Sequence, residues 1–253
     1  FWYGVGFLVI TFLLIRLASY SFPGIVHLRQ FELFDPSIYG SSYVLSSLGD
    51  LLLNVLLLCW IIIFINRRVD PTLLKAYAEP WKNWVMLGLV LVLQVAVTFT
   101  GAGILQSLVA DAKISFNVTN FFSLISTPYS FIGFIILALM ALSYFFLSQV
   151  LLTYAGKLVD HRNYITFVIT SVIGLLILTF SNNNAMIELN LFVLPWLLLF
   201  IWLMQRRIFR GFNFKLNVSE VLFWLFVFSF SISAVIIFEN RKIEKEQRKR
   251  YAE

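Results

Sequence analysis

Seven stretches of the chain are continuous apolar runs, at 1–20, 44–65, 83–106, 129–154, 163–181, 187–205 and 218–238. A hydrocarbon core of about 30 Å takes roughly 20 residues of helix, and each run meets or nearly meets that length. The runs do not alternate apolar with polar residues, as the strands of a membrane barrel must. The pattern therefore predicts an all-α, polytopic membrane protein: a seven-transmembrane-helix bundle over 1–238, followed by a charged C-terminal helical extension over 239–253.

The segments between the runs carry stop and start signals. Ser-Phe-Pro-Gly at 21–24 ends the first helix, and the linker 25–43 is rich in aromatic and turn-forming residues, which suits a structured segment at the membrane interface. Pro71 and Pro80 bracket a short amphipathic turn or helix, with Trp81 and Trp84 placed as interface anchors. Gly101-Ala102-Gly103 reads as a loosening at a helix end, and 111–122 as a re-entrant or interfacial piece. Pro195 is an isolated kink candidate in the sixth run.

Charge orients the runs. Arg67, Arg68, Lys75, Lys82, Lys157, Arg162, Arg206, Arg207, Arg210 and Lys215 lie in three alternate loops, against only Arg29 and Lys113 in the other three. Lys and Arg in short loops mark the cytoplasmic side. The topology-setting groups are Arg67, Arg68, Arg206, Arg207, Arg210 and Lys215, and they place the start of the first helix inside and the C-terminal tail outside. That tail carries Arg241, Lys242, Lys245, Arg248, Lys249 and Arg250, which the same rule disfavours outside. Either the tail is exported with a following domain, since long exported segments cross largely regardless of charge, or one span is miscounted. Glu246 and Arg250 form a favourable i,i+4 pair, so the tail is expected to continue the seventh helix as a charged stalk.

Composition agrees with a membrane protein: 60% hydrophobic, 13% charged and a mean hydropathy of +0.88, against roughly 25% charged in soluble domains. The net charge of +6 is explained by loop and tail residues, so no nucleic-acid partner is expected. The single cysteine, Cys59, permits no intrachain disulfide. The first residue is Phe, and the helical pattern at 247–253 has no stop signal, as expected of a piece of a longer chain.

Polar side chains inside apolar runs are costly in lipid and normally face the bundle. The candidate intramembrane polar site comprises Asp50 and Asn54, on one face of the second helix; Gln94 and Thr98, on one face of the third; Gln149 in the fourth; and Glu220 at the start of the seventh. Their alternatives are interhelical hydrogen bonds that hold the bundle together and a ligand or ion pathway. No catalytic, cofactor-binding or metal-binding set is evident; His27 and His161 fall on opposite sides of the membrane in this topology.

The residues 34–42, Phe-Asp-Pro-Ser-Ile-Tyr-Gly-Ser-Ser, then Ser47-Leu48-Gly49-Asp50-Leu51-Leu52-Leu53, the run 113–120 and Arg248-Lys249-Arg250-Tyr251-Ala252-Glu253 resemble the membrane region of a group of large bacterial sensor histidine kinases. The resemblance implies a sensory and anchoring module in the bacterial cytoplasmic membrane, homo-oligomeric as a dimer, with the kinase core in a missing downstream part. It implies no catalytic residue here. The rival expectation is a small-solute transporter or channel, although neither an internal repeat nor matched Gly/Pro-interrupted spans are found. A membrane-embedded enzyme ranks third.

Overall fold

A computed structural model describes residues 2–21, 32–35, 39–40, 47–68, 79–111, 128–158, 163–180, 184–205 and 218–252. Among these residues the chain is all-helical, with seven α-helices: α1 (Trp2–Ser21), α2 (Leu48–Arg68), α3 (Pro80–Asp111), α4 (Pro128–Leu158), α5 (Asn163–Phe180), α6 (Asn184–Gln205) and α7 (Val218–Ala252). A 3₁₀ turn, Glu32–Phe34, precedes α2. Four helices are long and apolar enough to cross a membrane, over Leu48–Arg67, Pro80–Val109, Tyr129–Leu158 and Ile187–Gln205. Three shorter apolar segments, Gly6–Ile15, Tyr164–Phe180 and Leu222–Phe238, fall within α1, α5 and α7.

Local chemistry explains where the helices begin. Ser47 Oγ accepts a hydrogen bond from the Asp50 backbone N–H (3.1 Å) and donates to Asp50 Oδ2 (2.9 Å), so Ser47 caps α2 and Asp50 belongs to the cap. Pro80, expected to close a turn, instead opens α3, where its missing N–H costs nothing. Glu79 just before it takes the Trp81 indole N–H and the Lys82 ammonium at 2.8 and 2.9 Å. The loosening expected at Gly101-Ala102-Gly103 is absent, and α3 continues to Asp111. Glycine costs a helix roughly 1 kcal/mol relative to alanine, and packing beyond the pair offsets this: Leu108 and Val109 are buried, and Ser107 bonds the Tyr39 hydroxyl at 3.0 Å. Pro195 does not interrupt α6.

The chain divides into two compact units. One comprises 1–68, 105–143 and 230–253. In it Phe34 of the 3₁₀ turn rests on Gly49 in the first turn of α2, where an added Cβ would stand 2.7 Å from the ring. Glu32 accepts a hydrogen bond from the Tyr129 hydroxyl at the start of α4, and Tyr39, almost wholly buried, reaches α3. The described part of the linker is thus pinned to α2, α3 and α4 rather than loose, as its aromatic and turn residues suggested.

The other unit comprises 69–104 and 144–229. Leu87, Val90 and Leu91 of α3 pack with Leu151, Ala155 and Leu158 of α4 and with Ile165, Ile169 and Ile173 of α5. The buried stripe of α5 is Thr166, Thr170, Gly174 and Leu178, four residues apart, while Val168, Val172, Leu175 and Leu176 are exposed. Polar groups inward and aliphatic groups outward reverse the arrangement of a helix in water and are compatible with residence in a membrane. Small residues at that spacing let helices approach closely, and a Cβ on Gly174 would run into the Leu194 side chain of α6.

Gly174→Val should therefore weaken the α5–α6 pair by about 1–3 kcal/mol. Gly88→Ala, at a glycine with nothing near its Cβ direction, should be neutral or slightly stabilising. Reversible unfolding of the two variants in mixed micelles checks the contrast.

Candidate functional site: a polar ring and its aromatic wall

Gln94 and Thr98, one helical turn apart on α3, are 0% and 4% exposed, and across from them lie Tyr144 and Ser148, likewise one turn apart on α4. The Gln94 carboxamide donates from Nε2 to the Tyr144 hydroxyl at 3.1 Å and to Ser148 Oγ at 2.9 Å. Thr98 Oγ1 donates to the backbone carbonyl of Gln94 at 2.7 Å and lies 3.1 Å from the Tyr144 hydroxyl. Since the Thr98 proton is committed to that carbonyl, the Tyr144 hydroxyl is the donor to Thr98. The protons then run in one direction around a closed ring, from the Gln94 amide to Tyr144, to Thr98 and back to the Gln94 carbonyl.

The ring uses both N–H groups of the amide and leaves its oxygen over. Gln94 Oε1 is buried and has no hydrogen-bond partner. Turning the amide over would give the oxygen two hydroxyl donors but strand two N–H groups, and orphaned buried donors are the rarer and costlier defect. The orientation with a spare acceptor is therefore the better one. A buried polar atom left unmet costs about 1–3 kcal/mol. Gln149 Oε1 on α4 and Asn190 Oδ1 on α6 are two further buried acceptors without a partner in this unit.

Aromatic side chains surround the Tyr144 ring. Its centroid lies 5.1 Å from Phe200 and 5.8 Å from Trp196, both on α6, and 6.1 Å from Phe228 on α7, met edge-on. Trp196 and Phe200 stack at 5.4 Å, and Trp224 packs against Phe200 and Phe145 at 5.1 and 5.3 Å. Such pairs contribute about 0.5–1.5 kcal/mol each beyond simple burial. Tyr144 therefore joins four helices: to α3 by hydrogen bonds, to α6 and α7 by its ring, and to α4 by its own backbone.

The sequence candidates separate accordingly. Gln94 and Thr98 meet in the ring, and Gln149 adjoins it in sequence without a partner for its oxygen. Asp50 and Asn54 belong to the other unit, where Asp50 serves the α2 cap. Glu220 is in the first turn of α7, and its side chain lies outside the described residues, as do Arg206, Arg207, Arg210 and Lys215 entirely. Arg67 is exposed near the end of α2, which finishes at Arg68. Tyr144 and Ser148, the other half of the ring, were not singled out from sequence, although their four-residue spacing marks one helix face. Among the described residues no cluster of His, Cys, Asp or Glu could hold a metal ion.

Tyr144→Phe removes the hydroxyl that accepts from Gln94 and bonds Thr98, and keeps the ring. It should destabilise the protein by about 1–3 kcal/mol, whereas Tyr129→Phe, at an exposed hydroxyl, should stay within about 0.5 kcal/mol. Unfolding of both variants measures the difference.

No protein-family model matches the chain, and no curated protein or solved structure matches it either.

Proposed function

We propose that the chain is the membrane-embedded sensory and anchoring module of a bacterial sensor histidine kinase, which passes a change in helix packing to domains outside this fragment. The observation that carries the reading is the continuity of α7. This helix places Trp224 and Phe228 in the aromatic wall around Tyr144 and runs without a break to Ala252. At 1.5 Å per residue its 35 residues measure roughly 52 Å, well beyond a hydrocarbon core of about 30 Å. Arg241, Lys245 and Arg248 near its end are exposed, as suits a charged stalk leaving the bilayer.

In this reading all seven helices cross the cytoplasmic membrane, including α1, α5 and α7, whose apolar segments are the short ones. The basic loops face the cytoplasm and the end of α7 lies outside. Outward-facing Phe226, Phe230, Leu175 and Phe192 meet lipid tails, and two copies pair as a dimer. A signal of this kind needs a stimulus with different affinity for two packings. The Tyr144 joint supplies the element to be repacked, because a displacement of α3 or α4 alters the surface that α7 rests on.

A second reading, a small-solute transporter or channel, is favoured by the three unmet buried acceptors on Gln94, Gln149 and Asn190. Polar groups inside spans often mark a pathway. Solute flux in vesicles that falls with Gln94→Leu would select that reading over the sensory one.

Topology tests the proposal. In a Cys59→Ala background, a membrane-impermeant thiol reagent applied to intact cells should label a cysteine at Gln247 and leave one at Asn213 unlabelled. The reverse pattern would overturn the arrangement.

A further inference from the structure

We infer that the last turns of α7 carry a binding face for the headgroups of anionic phospholipids. The tail holds six cations, and at about 100° per residue five of them, Arg241, Lys242, Lys245, Arg248 and Lys249, fall by position within one arc of about 120°. Glu239, Glu244, Glu246 and Arg250 all fall outside it. The same helical spacing places Ala234 and Phe238 on this arc and Phe230 at its edge, and all three are exposed. Ile236, on the opposite side of the helix, is buried. These residues belong to one compact unit, so the basic arc continues the side of α7 that the rest of that unit leaves uncovered. Arg241, Lys245 and Arg248 are themselves exposed.

Depth decides what meets this face. The apolar part of α7 ends at Phe238, and the headgroup layer beyond the hydrocarbon is about 5–7 Å thick on each side. At 1.5 Å per residue, Arg241 and Lys242 stand about 5–6 Å past Phe238, inside that layer. Lys245 is about 10 Å past it, near enough for a long flexible stem to bring the ammonium back to the phosphates. Arg248 and Lys249 lie about one Debye length, roughly 8–10 Å, beyond the layer and add to its field. A lipid with net negative charge is attracted to such a cluster, whereas a zwitterionic headgroup carries its own cation. A second copy in the same membrane would run parallel to the first and set five cations against five, so this face does not serve the dimer. The inference rests on α7 crossing the bilayer, as in the sensory reading, and not on which side of the membrane its end occupies.

The test uses the full chain carrying Cys59→Ala and Phe238→Cys, with bimane attached at position 238, in nanodiscs of phosphatidylcholine and phosphatidylglycerol in equal amounts. A nitroxide at the head of the acyl chain is carried by one lipid or by the other, and its quenching of bimane reports how often each lipid stands beside the arc. At about 0.05 M salt, phosphatidylglycerol should be at least about twofold enriched. The enrichment should shrink at about 1 M salt, where the Debye length is about 3 Å. With the five cations of the arc replaced together by Gln, a residue of similar helix propensity, it should fall below about 1.2-fold, whereas Arg250→Gln, off the arc, should leave it unchanged. Equal quenching by the two lipids with the arc intact overturns the inference and leaves the face to an acidic protein segment. An enrichment that survives the five replacements overturns it as well. Quenching by neither lipid would show that α7 does not leave the bilayer at Phe238, which removes both this inference and the membrane crossing that the sensory reading needs. A failure confined to the lipid preference leaves that reading standing.

Discussion

A carboxamide cannot lie in an apolar interior without finding partners for its two N–H groups, and the demand of Gln94 organises one of the two units of this protein. Its donors are met only if α4 presents a hydroxyl at each of two successive turns, which Tyr144 and Ser148 do at 3.1 and 2.9 Å. Once Tyr144 is held there, its ring is committed to a position, and Trp196, Phe200 and Phe228 pack on it at 5.1–6.1 Å. A polar requirement on one helix thus determines the aromatic packing of three others. Interhelical hydrogen bonds in membranes average only about 0.6 kcal/mol, so the ring's main contribution is to select one register of α3 against α4. The aliphatic contacts of Leu87 and Leu91 with Leu151 and Ala155 have no comparable directional preference.

The helices were legible in the sequence because an apolar run of bilayer length admits few other structures, and all seven expected runs correspond to observed helices. Their ends were less legible. Pro80 carries no mark that tells a helix start from a turn, and Gly101 and Gly103 look like breakers until Leu108, Val109 and the Tyr39–Ser107 bond are seen to hold the helix beyond them. Ser47 and Asp50, three residues apart, had the signature of a cap, yet within an apolar context Asp50 was grouped with the intramembrane polar candidates. The structure places them at the helix start.

The site was half legible. Gln94 and Thr98 stand out because amides and hydroxyls are scarce in such runs, but a single sequence does not reveal which helix faces them. Tyr144 and Ser148 were hidden by their ordinariness, since tyrosine and serine are unremarkable in a helix until an amide is found opposite. Asp50, Asn54 and Glu220 drew notice for the same scarcity, and nothing in their spacing could have separated them from Gln94. The difference lies in three-dimensional pairing, which periodicity on one helix does not encode.

The central claim is that Gln94 and Tyr144 act as a pair and that the joint of four helices follows from their bond. A double-mutant cycle of Gln94→Leu and Tyr144→Phe, read by reversible unfolding in bicelles, measures this most directly. The account predicts a coupling of about 1 kcal/mol, between the average and the largest values for interhelical bonds in membranes. Additivity of the two substitutions within about 0.3 kcal/mol would contradict it.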